Sequence, residues 1–301
     1  MIPQFPEFKK LELSDRGEVE SFTRKFPPYS DFNFVSMWSW DTQSEMGLSM
    51  LNGNLVIRFN DYLSKEPFYS FVGLDSVDAT IDTITGFSVK NGFGSKIRLV
   101  PEEVIECCKS EEFIAIADQD NFDYIYDIGA FCACEGRKYE TQRNQINRFE
   151  RNHPNARVEV FRSFDTVKEP ILRLEQRWKL NKIIKDKEVE FRSESAALWR
   201  MFDLTHDNFL TVCVFVGDEL VGFCVNELLG DSEYAISHFA KADVNYPGIY
   251  SYLLHENCRA LLQTGKKYLN YEQDLGLPHL RNSKTSFRPV KFLKKHIVIK
   301  Q

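Results

Sequence analysis

A chain of 301 residues, 43% hydrophobic and 27% charged, has the composition of a globular protein of one large or two ordinary domains. Its formal net charge of -6 excludes a global attraction to nucleic acid or to an anionic membrane, so either partner would need a local basic patch. No run reaches the roughly 18 apolar residues of a membrane span, and the start MIPQFPEFKK lacks a basic segment followed by an apolar core. Seven cysteines are scattered along the chain, and Cys213, Cys224 and Cys258 read as small buried hydrophobes in a reducing compartment. Cys132 and Cys134 lack a second pair or a nearby histidine to complete a tetrahedral zinc site, so no metal is expected. These features point to a soluble, cytoplasmic protein.

In chain order, residues 11–25 predict a short helix with Ser14 as its cap, ended by Pro27 and Pro28. The aromatic stretch 31–43, with Phe34, Trp38 and Trp40, reads as a buried helix or turn. Met50–Phe59 reads as a hairpin around Asn52, Gly53 and Asn54, and 67–74 as a further strand. Val77, Ile81, Ile84 and Phe87 are spaced for one face of a helix over 76–90. A strand at 97–100, a short helix opened by Pro101, and strands at 113–117 and 123–127 complete an α/β half.

The pattern changes around residues 129–136. A helix follows over 137–152 and stops before Pro154. At about 100° per residue, Arg137, Asn144, Arg148 and Arg151 fall on one stripe, while Tyr139, Ile146 and Phe149 face inward. That stripe is either a solvated face or a seat for an acidic carrier or RNA. A strand at 158–161 and helices around 167–178 and 198–202 lead to a hairpin, 210–216 and 220–229. The expected domains are 1–128 and 129–301.

Residues 234–292 carry the candidate chemistry. The strand 234–239 ends in a turn rich in Asp, Asn, Pro and Gly, and Gly248 opens a helix with Leu254, Cys258, Leu261 and Leu262 on one stripe. Unpaired amides at a helix start, with the positive end of the dipole, make a phosphate seat. Gly248, Ile249, Tyr250 and Ser251 would supply it, and Lys241 would balance the phosphate or a substrate carboxylate. A structural turn is the plainer alternative. A second strand, 268–271, runs into Glu272, Asp274, Arg281 and Lys284. Two adjacent carboxylates suit a general base for an attacking amine, or equally an ion-pair network with Arg281, Lys284 and Lys241. His238 reads as a satisfied strand histidine.

Hairpin, strand, glycine turn, helix and splayed strand together resemble the GCN5-related N-acetyltransferase (GNAT) fold. GRKYETQRNQINRF, SHFAKAD, YPGIY, NYEQDLG and LRNSKTSFRP resemble, as a set, the family of phosphatidylglycerol lysyltransferase C-terminal domains. The resemblance covers residues 136–292. It implies an α/β (α+β) fold of two GNAT-like domains in tandem, each a mixed, mostly antiparallel sheet flanked by helices. It also implies an acyltransferase moving an acyl group from coenzyme A to an amine. Phe239, Ala240, Lys241, Tyr246, Gly248, Ile249, Tyr250, Ser251 and Asn270 would hold the coenzyme, and Glu272, Asp274, Arg281 and Lys284 would do the chemistry. The alternative donor is aminoacyl-tRNA, docked along Arg137, Arg148 and Arg151. The family's second motif commonly has Glu at the position of Ala240, its NYEQD motif commonly has a basic residue at that of Tyr271, and only Gly248 remains of the two glycines usual in the GNAT loop. These departures motivate a third reading, a binding scaffold without turnover.

Overall fold

The computed structural model describes residues 1–185, 192–204 and 208–301. The chain divides into two compact units: Met1–Asp123 with Gln273–Leu277 and Phe292–Gln301, and Tyr124–Glu272 with Pro278–Lys291. The sequence reading cuts the chain once, between 128 and 129. The units interleave instead, because the last strand pairs within the first unit. Among the described residues no helix is long and apolar enough to cross a membrane.

The first unit holds helices α1 (Arg16–Thr23), α2 (Phe34–Trp40), α3 (Val77–Lys90) and α4 (Glu102–Glu106). Its strands β1 (Lys9–Lys10), β2 (Gly47–Leu51), β3 (Asn54–Asn60) and β4 (Pro67–Val72) form an antiparallel sheet in that order. The β2–β3 turn has Asn52 at φ 51° and Gly53 at φ 82°, the left-handed pair that a two-residue hairpin requires. The start of the first helical stretch differs from expectation. Glu12 and Asp15 form a reciprocal capping box there, and Ser14 lies inside the turn. Helix α3 buries Val77, Ile81 and Ile84, as their spacing predicts, against Phe71, Ile97 and Val298. Each such side chain contributes about 1.5–3 kcal/mol when fully buried.

A second, three-stranded antiparallel sheet places the final strand β14 (Lys295–Lys300) between β5 (Lys96–Pro101) and β6 (Phe113–Ala117). Lys295 has no exposed surface. Its Nζ pairs with Asp31 and, at 2.9 Å, with Asp123. The Ser30 N–H and hydroxyl donate to Asp123 at 2.8 and 2.6 Å, and the Tyr62 hydroxyl donates to Asp31 at 3.1 Å. The two carboxylates outweigh burial and raise the Lys295 pKa.

The second unit is built on a seven-stranded sheet. Its strands are β7 (Asp123–Asp127), β8 (Arg157–Phe161), β9 (Phe209–Val216), β10 (Glu219–Leu228), β11 (Tyr234–Ala242), β12 (Tyr268–Asn270) and β13 (Lys291–Leu293). Their spatial order is β13-β7-β12-β11-β10-β9-β8, and β11–β12 is a parallel pair. The helices are α5 (Ile128–Ala133), α6 (Glu140–Asn152), α7 (Lys168–Lys185), α8 (Arg192–Phe202), α9 (Ile249–Leu262) and α10 (Pro278–Ser286). The sequence reading missed α5; its signal is Asp127, whose carboxylate caps the Ala130 N–H at 2.8 Å. Arg137–Tyr139 form a separate 3-10 turn ahead of α6.

Helix α9 lies tightly on one face of the sheet. A Cβ on Gly222 would meet Leu253 at 3.3 Å and Ala242 at 3.4 Å, so small residues on β10 and β11 set that approach. Asn226 of β10 and Asn257 of α9, both without exposed surface, exchange side-chain hydrogen bonds of 2.7 and 3.1 Å. A satisfied polar pair in an apolar layer fixes the register of helix on strand. Helix α7 packs on β10 and β11 from the other face, where Trp178 lies over Lys241.

Candidate active site

The parallel pairing of β11 with β12 covers only Tyr234–Ile236 against Tyr268–Asn270, and β11 runs on to Ala242. Beyond Ile236 the two strands part. On its other edge, β11 shifts register against β10: Val225 faces Phe239 and Asn226 faces Ser237. His238 is therefore the extra residue of a β-bulge, a device that re-aims a side chain.

The re-aimed imidazole lies between two carboxylates. His238 Nε2 is 3.3 Å from Glu227 Oε2 and Nδ1 is 3.2 Å from Glu272 Oε1, with no exposed surface on the His side chain. Burial alone would lower its pKa; the hydrogen bonds to Glu227 and Glu272 override burial and raise it to about 9. At neutral pH it is an imidazolium donating to both glutamates. Glu272 has φ 56°, a left-handed conformation unusual for a non-glycine residue. Its N–H donates to Asn270 Oδ1 at 2.8 Å, and its carbonyl accepts from the Tyr124 N–H at 3.2 Å. Backbone strain held by neighbours in this way is concentrated at functional sites. Glu227 was missed by sequence reasoning, although it is a lone acid in the apolar strand VGFCVNELL.

The protonated histidine makes stability depend on pH. Folding raises its pKa from 6.5 to about 9, so the stabilisation is complete below pH 6.5 and lost as pH rises through about 9. Its size is about 3 kcal/mol. Urea unfolding of wild type and His238→Gln should differ by that amount at pH 6 and converge above pH 9; a gap independent of pH would contradict the assignment.

The other expected residues take distinct places. Asp274 is buried in the first unit, where its carboxylate accepts the Gly276 N–H at 2.8 Å and shapes a turn. Lys284 of α10 donates to the Tyr271 carbonyl at 2.5 Å and sits over the Tyr271 ring. Arg281 lies half-buried on α10. Lys241 is 2% exposed and pairs with Glu194 of α8 at 2.8 Å. Tyr246 donates to Glu219 at 3.0 Å. Phe239 is buried and Ala240 half-buried on β11. Among the described residues no cluster of His, Cys, Asp and Glu could hold a metal ion.

The glycine turn is closed from one side. Gly248 has φ 92°, and a Cβ there would lie 2.2 Å from the Gln145 carbonyl oxygen of α6 and 3.3 Å from Phe149. The glycine is thus required by the close approach of α6. The Asn245 N–H is taken by the Asp243 carboxylate at 3.0 Å, and the Ile249 N–H by the Tyr246 carbonyl at 3.1 Å. The Tyr246 carbonyl thus already takes one of the first amides of α9. No side chain caps the helix, and Tyr250 and Ser251 lie half-buried in its first turn. Burial raises the Tyr250 phenol pKa, which argues against a proton donor there. Gly248→Ala should destabilise the protein by about 2–4 kcal/mol through strain and overpacking, read from denaturant midpoints. A neutral result would mean that α6 does not press on the turn.

Arg148 and Arg151 are exposed on α6, as is Arg137 in the turn before it, while Tyr139, Ile146 and Phe149 are buried. The stripe read from the sequence is therefore a solvent-facing basic face.

Comparison with known proteins agrees with this architecture. A conserved protein of unknown function from Bacteroides thetaiotaomicron is 25% identical over the whole of both chains, with a TM-score of 0.82. A domain named as the C-terminal part of a lysylphosphatidylglycerol synthetase from Agrobacterium fabrum is 12% identical, over 96% of this chain and 92% of its own, with a TM-score of 0.65. L-PGS from Bacillus licheniformis is 13% identical, over 100% of this chain and 94% of its own, with a TM-score of 0.64. No curated protein matches. The fold class is the expected one: mixed α/β, with mostly antiparallel sheets flanked by helices. The family described as phosphatidylglycerol lysyltransferase, C-terminal, matches residues 23–299, and the chain belongs to that family.

Proposed function

We propose that the second unit is an aminoacyltransferase that moves an aminoacyl group from tRNA to a small nucleophile such as an amine. The observation that carries this reading is the Glu227–His238–Glu272 set at the parting of β11 and β12. The Glu272 carboxylate accepts the proton of the attacking amine, oriented by His238, whose far side is held by Glu227. A bond forms between the amine nitrogen and the acyl carbon, the ester C–O bond breaks, and the proton passes to the leaving ribose oxygen.

The choice of donor rests on the Gly248 turn and on α6. The Gln145 carbonyl closes one side of Gly248, and the Asp243 carboxylate takes the Asn245 N–H of the same turn, which argues against a pyrophosphate seat there. The same helix carries Arg148 and Arg151 exposed to solvent. The family's name, a lysyltransferase, agrees with an aminoacyl donor. Coenzyme A is the competing donor, because no side chain caps α9.

The test is transfer from aminoacyl-tRNA and from acetyl-CoA, assayed side by side with a panel of amines. Loss of the aminoacyl group to an acceptor, with no heat or thermal shift from millimolar acetyl-CoA, is the expected result. Acetyl transfer without aminoacyl transfer would overturn it. Charge reversal of Arg148 and Arg151 together should weaken tRNA binding at least about tenfold and reduce the salt slope by about 2. Unchanged, salt-insensitive binding would exclude that face as the docking surface.

A further inference from the structure

Lys241 projects from β11 on the face that α7 covers. Its cross-strand partner is Phe223, and Gly222 and Ala242 beside them turn toward α9. Across the bulge, His238 and Glu227 share Lys241's face, since the His238 ring reaches Glu227 while Asn226 reaches back to α9. Lys241 lies three residue steps along the strand from His238, a span of about 10 Å. That is comparable to the reach of one extended side chain from an ester carbonyl.

The Lys241 ammonium is held as a bound cation would be. Its Nζ is 3.4 Å from the centroid of the Trp178 ring and 2.8 Å from Glu194. The Trp178 indole N–H donates to the Tyr250 hydroxyl at 3.3 Å, which fixes the ring. Glu175 of α7, 3% exposed, adds a second carboxylate, itself braced by the Ser195 hydroxyl at 2.6 Å and by Lys179 at 2.9 Å. An aromatic face with carboxylates around it is the chemistry that receives an ammonium group. Here the chain supplies the ammonium itself.

We propose that Lys241 is a specificity residue that fills this cation seat and restricts the transferred group to one without a basic side chain. The inference rests on the aminoacyltransferase reading and names its substrate class. A second ammonium would find the aromatic face taken and a like charge in its place. An uncharged side chain of similar length meets the apolar stem of Lys241 and the Trp178 ring edge without that repulsion.

The test uses two amides of equal chain length, norleucinamide and lysinamide, titrated calorimetrically into the full chain. Wild type should bind norleucinamide at least about tenfold more tightly than lysinamide. In Lys241→Ala the seat is vacated, so the order should reverse, and propylammonium should raise the melting temperature of that variant and not of wild type. Equal or tighter lysinamide binding by wild type, or no binding of either amide, would overturn the proposal. So would a folded Lys241→Ala protein that gains no affinity for lysinamide. If that variant does not fold, the wild-type comparison alone decides. A protein that shows this preference yet transfers no aminoacyl group would lose the function and keep the assignment of Lys241.

Discussion

Glu272→Gln should lower the rate of transfer by about 10²–10⁴-fold while leaving acceptor KM within a few fold. The glutamine keeps the shape of the side chain and still reaches His238, but it cannot take a proton. The loss should therefore appear in kcat. His238 acts through Glu272 and is a positioning residue. Its pKa of about 9 predicts an alkaline limb in the wild-type pH profile, where the bridging charge between Glu227 and Glu272 disappears. His238→Gln should lack that limb and run slower at neutral pH. An unaltered rate in Glu272→Gln would leave the fold in place and remove the proposed chemistry.

Lys295→Met should destabilise the first unit by about 3–5 kcal/mol, measured by urea unfolding at neutral pH. The reason is the company it leaves behind. Asp31 and Asp123 have almost no exposed surface, and without the ammonium they face each other as buried carboxylates. Replacing all three, with Asp31→Asn and Asp123→Asn added, should recover most of the loss, because an uncharged trio no longer has to be paired. Failure of the triple variant to recover would mean that the hydrogen bonds from Ser30 and Tyr62, and not the charges, carry the cost.

Local pattern made much of the fold legible. The period of Val77, Ile81 and Ile84 gave α3, and Asn52-Gly53 gave the β2–β3 hairpin. The turn before Gly248 and the stripe behind it gave α9. These elements are specified by residues within one or two turns of each other, so a reader of the chain can find them. The family motifs carried the fold class further, to a mixed α/β chain of mostly antiparallel sheets flanked by helices.

The site was legible only in part. Glu272 stands out in the sequence because it ends a strand, whereas His238 reads there only as a satisfied strand histidine. Which partners satisfy it was not visible. Glu227 reaches His238 only because β10 and β11 pair antiparallel and slip by one residue at Val225 and Asn226. Asp274 reads as the natural companion of Glu272 in NYEQD, yet its carboxylate shapes a turn in the first unit. Gly248 reads as a phosphate turn, and its left-handed φ fits that reading. Its neighbour Gln145, far away in sequence, supplies a backbone carbonyl at the same place.

The amino-acid order by itself determined where many of the helices and strands form, which of their faces are apolar, and that residues 234–272 bring acids and a histidine to the end of a strand. Only the folded chain decided that Glu227, His238 and Glu272 meet, that Lys241 fills an aromatic seat, and that Lys295 is buried with two aspartates. Periodicity records the backbone's short-range geometry. Charge pairing depends on which distant strands become neighbours, and that is settled by packing the whole core at once.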